Sequence, residues 1–95
     1  MSDLRTIIVR RDEAEGFYEA IVDGYRSVAE YAIDGDRMIL THTFVPPELR
    51  GLGVAEKLVR TALVDARAKG LKVVPACSYV AKFMERHAEY HDLRA

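Results

Sequence analysis

The run Val45-Pro46-Pro47-Glu48-Leu49-Arg50-Gly51-Leu52-Gly53-Val54-Ala55 constrains this chain more than any other stretch. Pro46 and Pro47 donate no ladder hydrogen bonds, so strand pairing stops at Val45 on that edge, and a gap between neighbouring strands is expected. Gly51 and Gly53 let the backbone take turns that a side chain forbids and let it approach a ligand closely. A helical pattern starts at Val54, and no Ser, Thr, Asp or Asn stands immediately before it to cap the open N–H groups. A bound anion would satisfy those donors and gain from the helix dipole, with Arg50 adding a fixed positive charge at the rim. The other reading of the same glycines is a plain strand-to-helix turn.

Spacing excludes two familiar phosphate binders. A P-loop ends in Gly-Lys-Ser/Thr, whereas Lys57 stands between Glu56 and Leu58. A dinucleotide fingerprint would place its third glycine at Glu56, and the ribose-binding acid expected about 20 residues on is missing from Leu71-Lys72-Val73-Val74.

Around this stretch the pattern predicts an α+β domain spanning 1–95. Strands are expected at Thr6-Ile7-Ile8-Val9, at Phe17 to Val22 and, after an Asp23-Gly24 hairpin turn, at Tyr25 to Ile33. Following the turn at Asp34-Gly35-Asp36, Met38 to Val45 forms the spine of the sheet, with apolar Met38, Ile39 and Leu40 expected to be covered on both faces. From Val54 to Lys69 the residues Val54, Ala55, Leu58, Val59, Ala62, Leu63 and Ala66 share one side of a helix; Glu56, Lys57, Arg60 and Arg67 lie opposite, Val64 and Asp65 fit neither side, and Gly70 stops it. Leu71 to Ala76 reads as a strand parallel to the spine, Ser78 as the cap of a helix from Tyr79 to about His87, and the residues from His87 to His91 as an irregular tail.

Ninety-five residues supply one small core, and 49% hydrophobic with 31% charged residues suits a folded domain. A net charge of −1 gives no footprint for nucleic acid or an anionic membrane. The single Cys77 forms no internal disulfide, no apolar run approaches the ~20 residues of a membrane span, and Met1-Ser2-Asp3-Leu4 does not open a signal peptide, so a cytoplasmic address is expected.

Three residues are candidates for chemistry. Cys77 lies between a strand end and a helix start, where N–H groups favour the thiolate, so it could handle protons or carry an acyl group; a small buried hydrophobe is the alternative. Tyr79 is either a phenol at the reacting centre or a tyrosine packed on the sheet. His42, mid-strand, either takes a proton from a substrate or is a hydrogen-bonded structural histidine. His87 and His91 are expected to be solvated, and no ligand spacing implies a metal.

Arg50-x-x-Gly53-x-Ala55, the lead-in Thr41-His42-Thr43-Phe44-Val45-Pro46-Pro47 and the segment Val73-Val74-Pro75-Ala76-Cys77-Ser78-Tyr79-Val80 together resemble the short, single-domain branch of the GNAT acetyltransferases. The resemblance implies an antiparallel meander of about four strands, a crossover helix, a parallel strand and a short C-terminal helix. It implies acetyl-CoA as co-substrate, with its pyrophosphate at Arg50, Gly51, Leu52, Gly53, Val54 and Ala55 and its pantetheine arm on Phe44 and Val45. It also implies an amine acceptor, either a small molecule or a protein amine; Cys77, His42 and Tyr79 are the residues expected to serve the transfer, in a monomer or weak homodimer. Larger members place an acidic tyrosine further along, after an Asn-x-x-Ala pattern; here Ser78-Tyr79-Val80-Ala81 leads to Lys82-Phe83-Met84-Glu85. They also wrap the acceptor with N-terminal helices, and nothing before Tyr25 reads as one. An open acceptor side is therefore expected, and a coenzyme A binding module with weak or no catalysis is the alternative function.

Overall fold

In the computed structural model, which describes residues 6–95, strand β2 (Phe17–Val22) alternates between two environments. Tyr18, Ala20 and Val22 are buried in the core, while Ile21 points to water. Its antiparallel neighbour β3 (Tyr25–Asp34) repeats the alternation, with Ala29 opposite Tyr18 and Ser27 opposite Ala20. Asp23 and Gly24, both at positive φ, make the tight turn between them, as the sequence predicts. Strand β4 (Arg37–Phe44) pairs antiparallel with β3 and parallel with β5 (Lys72–Pro75), completing a five-stranded mixed sheet with β1 (Arg10–Asp12) at the far edge.

The core forms on one face of this sheet. Helix α1 (Val54–Ala68) buries Val54, Leu58, Val59, Ala62, Leu63 and Ala66 there, and helix α2 (Ser78–Arg86) adds Val80, Phe83 and Met84. Each large side chain withdrawn from water contributes about 1.5–3 kcal/mol. Gly70, at φ 71°, ends α1, and the Leu71 N–H returns to the Ala66 carbonyl at 2.8 Å. No described helix covers the other face. Ile39, opposite Ala32, is therefore only half-buried, and the expectation that β4 is covered on both sides fails.

Strand β4 changes face partway along. Glu30 opposes His42 but Tyr31 opposes Leu40, so Thr41 is an extra, unpaired residue: a β-bulge. Met38 and Leu40 point into the core. Beyond the bulge the alternation is reversed: Thr43, opposite the fully buried Ala29, continues on the core side, and His42 and Phe44 turn to the open face.

Asp65, which fits neither helix face by pattern, accepts hydrogen bonds from Arg11 (Nη2, 2.9 Å) and from the buried Tyr18 hydroxyl (2.9 Å), tying α1 to β1 and β2. Burial works to raise its carboxyl, but Arg11 and Tyr18 outweigh that and hold it below the usual carboxylate range. A depressed folded value stabilises the fold above the unfolded value of about 3.9 and loses that contribution as pH falls. Asp65→Asn is expected to cost about 1–3 kcal/mol at pH 7 in a urea titration, and the gap from the parent should narrow below about pH 4. A gap independent of pH would place the loss in packing instead.

Further expectations are corrected. Thr6 to Val9 form no strand: Ile7 and Val9 pack against the core as irregular chain, and pairing starts at Arg10, where the register meets Glu19 of β2. Cys77, not Ser78, is the N-cap of α2, because its backbone is extended and its carbonyl accepts from the Ala81 N–H at 3.0 Å. The tail is ordered as a 3-10 helix (Ala88–Leu93), with Tyr90 and Leu93 buried. Arg67 bonds Asp92 and the Glu89 carbonyl, and the Ala95 N–H reaches the Val73 carbonyl on β5. His87 is accordingly half-buried, stacked on Phe83 at 4.0 Å, whereas His91 is exposed. The leader expectation at Met1 to Leu4 lies outside the described residues, and none of the described helices is long and apolar enough to cross a membrane.

Candidate functional site

The loop between β4 and α1 opens with a 3-10 turn (Pro47–Leu49) whose Leu49 is buried, fixing the loop to the core. Gly51 (φ 86°) and Gly53 (φ 81°) are both left-handed, a conformation that side chains rarely adopt. A Cβ at either position would meet nothing within 4 Å. The glycines therefore serve the backbone path and leave the space above it empty. Gly53 is the N-cap and supplies no side chain to the helix. The first loop-to-helix bond is Lys57 N–H to the Gly53 carbonyl, so the N–H groups of Gly53, Val54, Ala55 and Glu56 have no acceptor among the described residues.

These donors border a hollow of about 240 Å³ whose walls include Val45, Arg50, Gly51, Val54, Ala55 and Tyr79. The Arg50 Nε donates to the Val45 carbonyl at 3.3 Å, which leaves the two terminal guanidinium nitrogens for a ligand. Glu56, the one carboxylate in this turn, is drawn toward Arg60 at 3.0 Å. Leu52 is turned inward and packs on the core, so only its backbone belongs to the site.

Below the hollow, β4 and β5 part. Their pairing runs from Arg37–Lys72 to Leu40–Pro75 and ends there; Cys77 N–H still reaches the Leu40 carbonyl at 3.1 Å, but Thr41 to Phe44 have a strand on the β3 side only. The expected opening is present, with Cys77 at its apex and its sulfur 3.7 Å from the Thr43 hydroxyl. Burial alone would raise the thiol. The backbone N–H groups of Val80 and Tyr79 and the Thr43 hydroxyl outweigh burial and leave the Cys77 pKa lowered. Tyr79 moves the other way: partial burial, then the Glu56 charge, raises its phenol, which stays protonated at neutral pH. Because this ring forms one wall of the hollow, Tyr79 belongs with the loop rather than with the sheet packing.

Candidate residues thus fall into three places. Val45, Arg50, Gly51, Gly53, Val54, Ala55 and Tyr79 share the hollow, Cys77 marks the apex of the opening, and His42 and the Phe44 ring lie on the open face of the sheet. Sequence reading missed Thr43 as the partner of Cys77. Its only signal was the alternation along β4, and the bulge at Thr41 reversed that. No group of three or more His, Cys, Asp or Glu among the described residues is placed to hold a metal ion.

Comparison with known proteins gives a consistent result. The sequence model of the GCN5-related N-acetyl-transferase family matches residues 17–93. Protein NATD1 of Bos taurus is 35% identical over 63 residues, covering 65% of this chain; the chain spans about half (56%) of that relative's length. Among solved structures, the NMR structure of a GCN5-like protein from Staphylococcus aureus superposes with a TM-score of 0.74 at 25% identity, over 93% of this chain and 87% of that one.

Proposed function

Because the chain belongs to the GCN5-related N-acetyltransferase family, we propose that it transfers the acetyl group of acetyl-CoA to an amine. The observation that carries this is the α1 N-terminus: uncapped, preceded by two left-handed glycines whose Cβ positions are open, and set above the free edge of β4. This combination fits coenzyme A by the chemistry of its donors. The N–H groups of Gly53, Val54 and Ala55, with the Arg50 terminal nitrogens, suit a pyrophosphate. The backbone of Thr43 to Val45, which has no strand on the β5 side, suits the amide-bearing pantetheine arm, and the Phe44 backbone, not its ring, takes part.

Bound acetyl-CoA supplies an activated acetyl group at the apex of the opening. A neutral amine forms the new amide bond as the carbon–sulfur bond breaks, and the products are the N-acetylated amine and the CoA thiol. The chain's own residues position these groups and move the protons. A backbone N–H on the free edge of β4 stabilises the oxyanion. Cys77, which sits at the apex with a lowered pKa, supplies the proton taken up by the leaving sulfur, and the exposed imidazole of His42 receives the proton given up by the amine.

Thiol release from acetyl-CoA across a panel of amines tests this function directly. Turnover should require both substrates. Cys77→Ala should lower kcat by about tenfold to a hundredfold with CoA affinity nearly unchanged, as for a group that acts only in the transition state. Binding of acetyl-CoA with no turnover on any amine would leave a coenzyme A binding module instead.

A further inference from the structure

On the helix side the opening in β4 is bordered by the hollow at the start of α1, where the coenzyme is proposed to lie. Val45 and Cys77 pack there against the core under α1 and α2, so an acceptor reaches the apex across the opposite, open face of the sheet. Two rows of side chains cross three strands there. One is Phe17–Glu30–His42 and the next, nearer the loop, is Glu19–Val28–Phe44. Val28 is buried although no described helix covers it.

The charges on this face are unequal. Glu19 binds Arg10 at 3.2 Å and Arg26 at 2.6 Å, and Asp12 lies 3.8 Å from Arg10, so these two cations and two anions cancel. Both guanidinium groups also lie over the Phe17 ring, at 5.6 and 5.0 Å. Glu30 has no ionic partner among the described residues, and it stands directly across from His42. Phe44, 45% exposed and two residues beyond His42 on the same face, has no cation over its ring among the described residues.

We infer that the acceptor is a short aliphatic diamine, its far ammonium group held by Glu30 while its reacting nitrogen stands beside His42. This rests on the acetyltransferase reading above. Cross-strand neighbours hold their Cβ atoms about 5 Å apart, and their side chains rise together from the sheet. Two nitrogens separated by three or four methylenes span that distance, and the methylenes lie against Phe44. Glu30 is then a specificity-determining residue: it touches the acceptor but not the reacting atoms.

The test compares 1,3-diaminopropane and 1,4-diaminobutane with 4-amino-1-butanol, which matches the latter in length but replaces the second ammonium by a hydroxyl. Thiol release should give the diamines a kcat/KM at least about tenfold higher, the size expected for a hydrogen bond to a charged group. Glu30→Gln should bring the ratio close to one, and Glu30→Asp should keep most of it. In CoA-loaded protein, 1,4-diaminobutane should shift the ring resonances of His42 and Phe44, and these shifts should vanish in Glu30→Gln. A ratio near one in the parent, a ratio that survives Glu30→Gln, or the absence of diamine-induced shifts overturns the inference while leaving acetyl transfer to other amines intact. Should no amine be acetylated, the transferase reading fails, and the resonance shifts alone then decide whether Glu30 binds a diamine.

Discussion

Gly53→Val is expected to lower acetyl-CoA affinity by at least about a hundredfold while the protein remains folded. A β-branched residue does not hold φ 81°, so the backbone must leave the left-handed region, at a cost of about 1–2 kcal/mol. The space around it is open, so nothing in the core has to yield. What changes is the direction of the Gly53, Val54 and Ala55 N–H groups. Losing two hydrogen bonds to a charged group, each worth about 1.5–3 kcal/mol, accounts for the expected factor. Calorimetric titration measures it, with a melting curve run alongside. Binding within threefold of the parent would remove the loop from the coenzyme site.

The largest effect on stability should come from a glycine remote from that loop. Gly16, at φ 79°, lies where a Cβ would come within 2.7 Å of the Tyr31 carbonyl oxygen, and its own carbonyl accepts from the Tyr31 N–H at 2.9 Å. Tyr31 is the residue of β3 at which the β4 register shifts, so this contact braces the bulge from the opposite side. Gly16→Ala combines a left-handed alanine with a backbone collision, and a loss on the order of 3 kcal/mol is expected. The melting temperature should fall by roughly 10–20 °C for a domain of this size. A fall below about 3 °C would mean that the β1–β2 turn moves freely and does not brace β3.

What the sequence made legible, and what it did not, follows from the range of the interactions involved. Helix α1 was readable because its burial pattern is local: Leu58, Val59, Ala62 and Leu63 recur at the helical period whatever they pack against. The hairpin at Asp23-Gly24 and the helix stop at Gly70 follow from single-residue conformational preferences, and the left-handed turns at Gly51 and Gly53 from the same kind of signal. The bulge at Thr41 is different, because it exists only as a mismatch between β3 and β4. In the polar run Thr41-His42-Thr43 no apolar residue reveals which face is which. That is why the turn of His42 to the open face, and the place of Thr43 beside Cys77, were not legible in the sequence. The N-terminal strand was misplaced for a related reason. Thr6 to Val9 have strand composition, but the pairing register of β2 recruits Arg10 to Asp12. At the C-terminus, Tyr90 is held by Arg60 and its neighbours Glu89 and Asp92 by Arg67, partners on α1 22 to 30 residues away that no local window contains.

Backbone amide resonances of nitrogen-15-labelled protein, followed as acetyl-CoA is added, test the coenzyme site most directly. The largest shifts should fall on Gly51, Gly53, Val54, Ala55 and Glu56, where the open N–H groups meet the pyrophosphate, and on Thr43 to Val45 along the free edge of β4. Pantetheine alone should move the second group and not the first. Shifts centred elsewhere on the sheet, or none at millimolar acetyl-CoA, would contradict a coenzyme site at the start of α1.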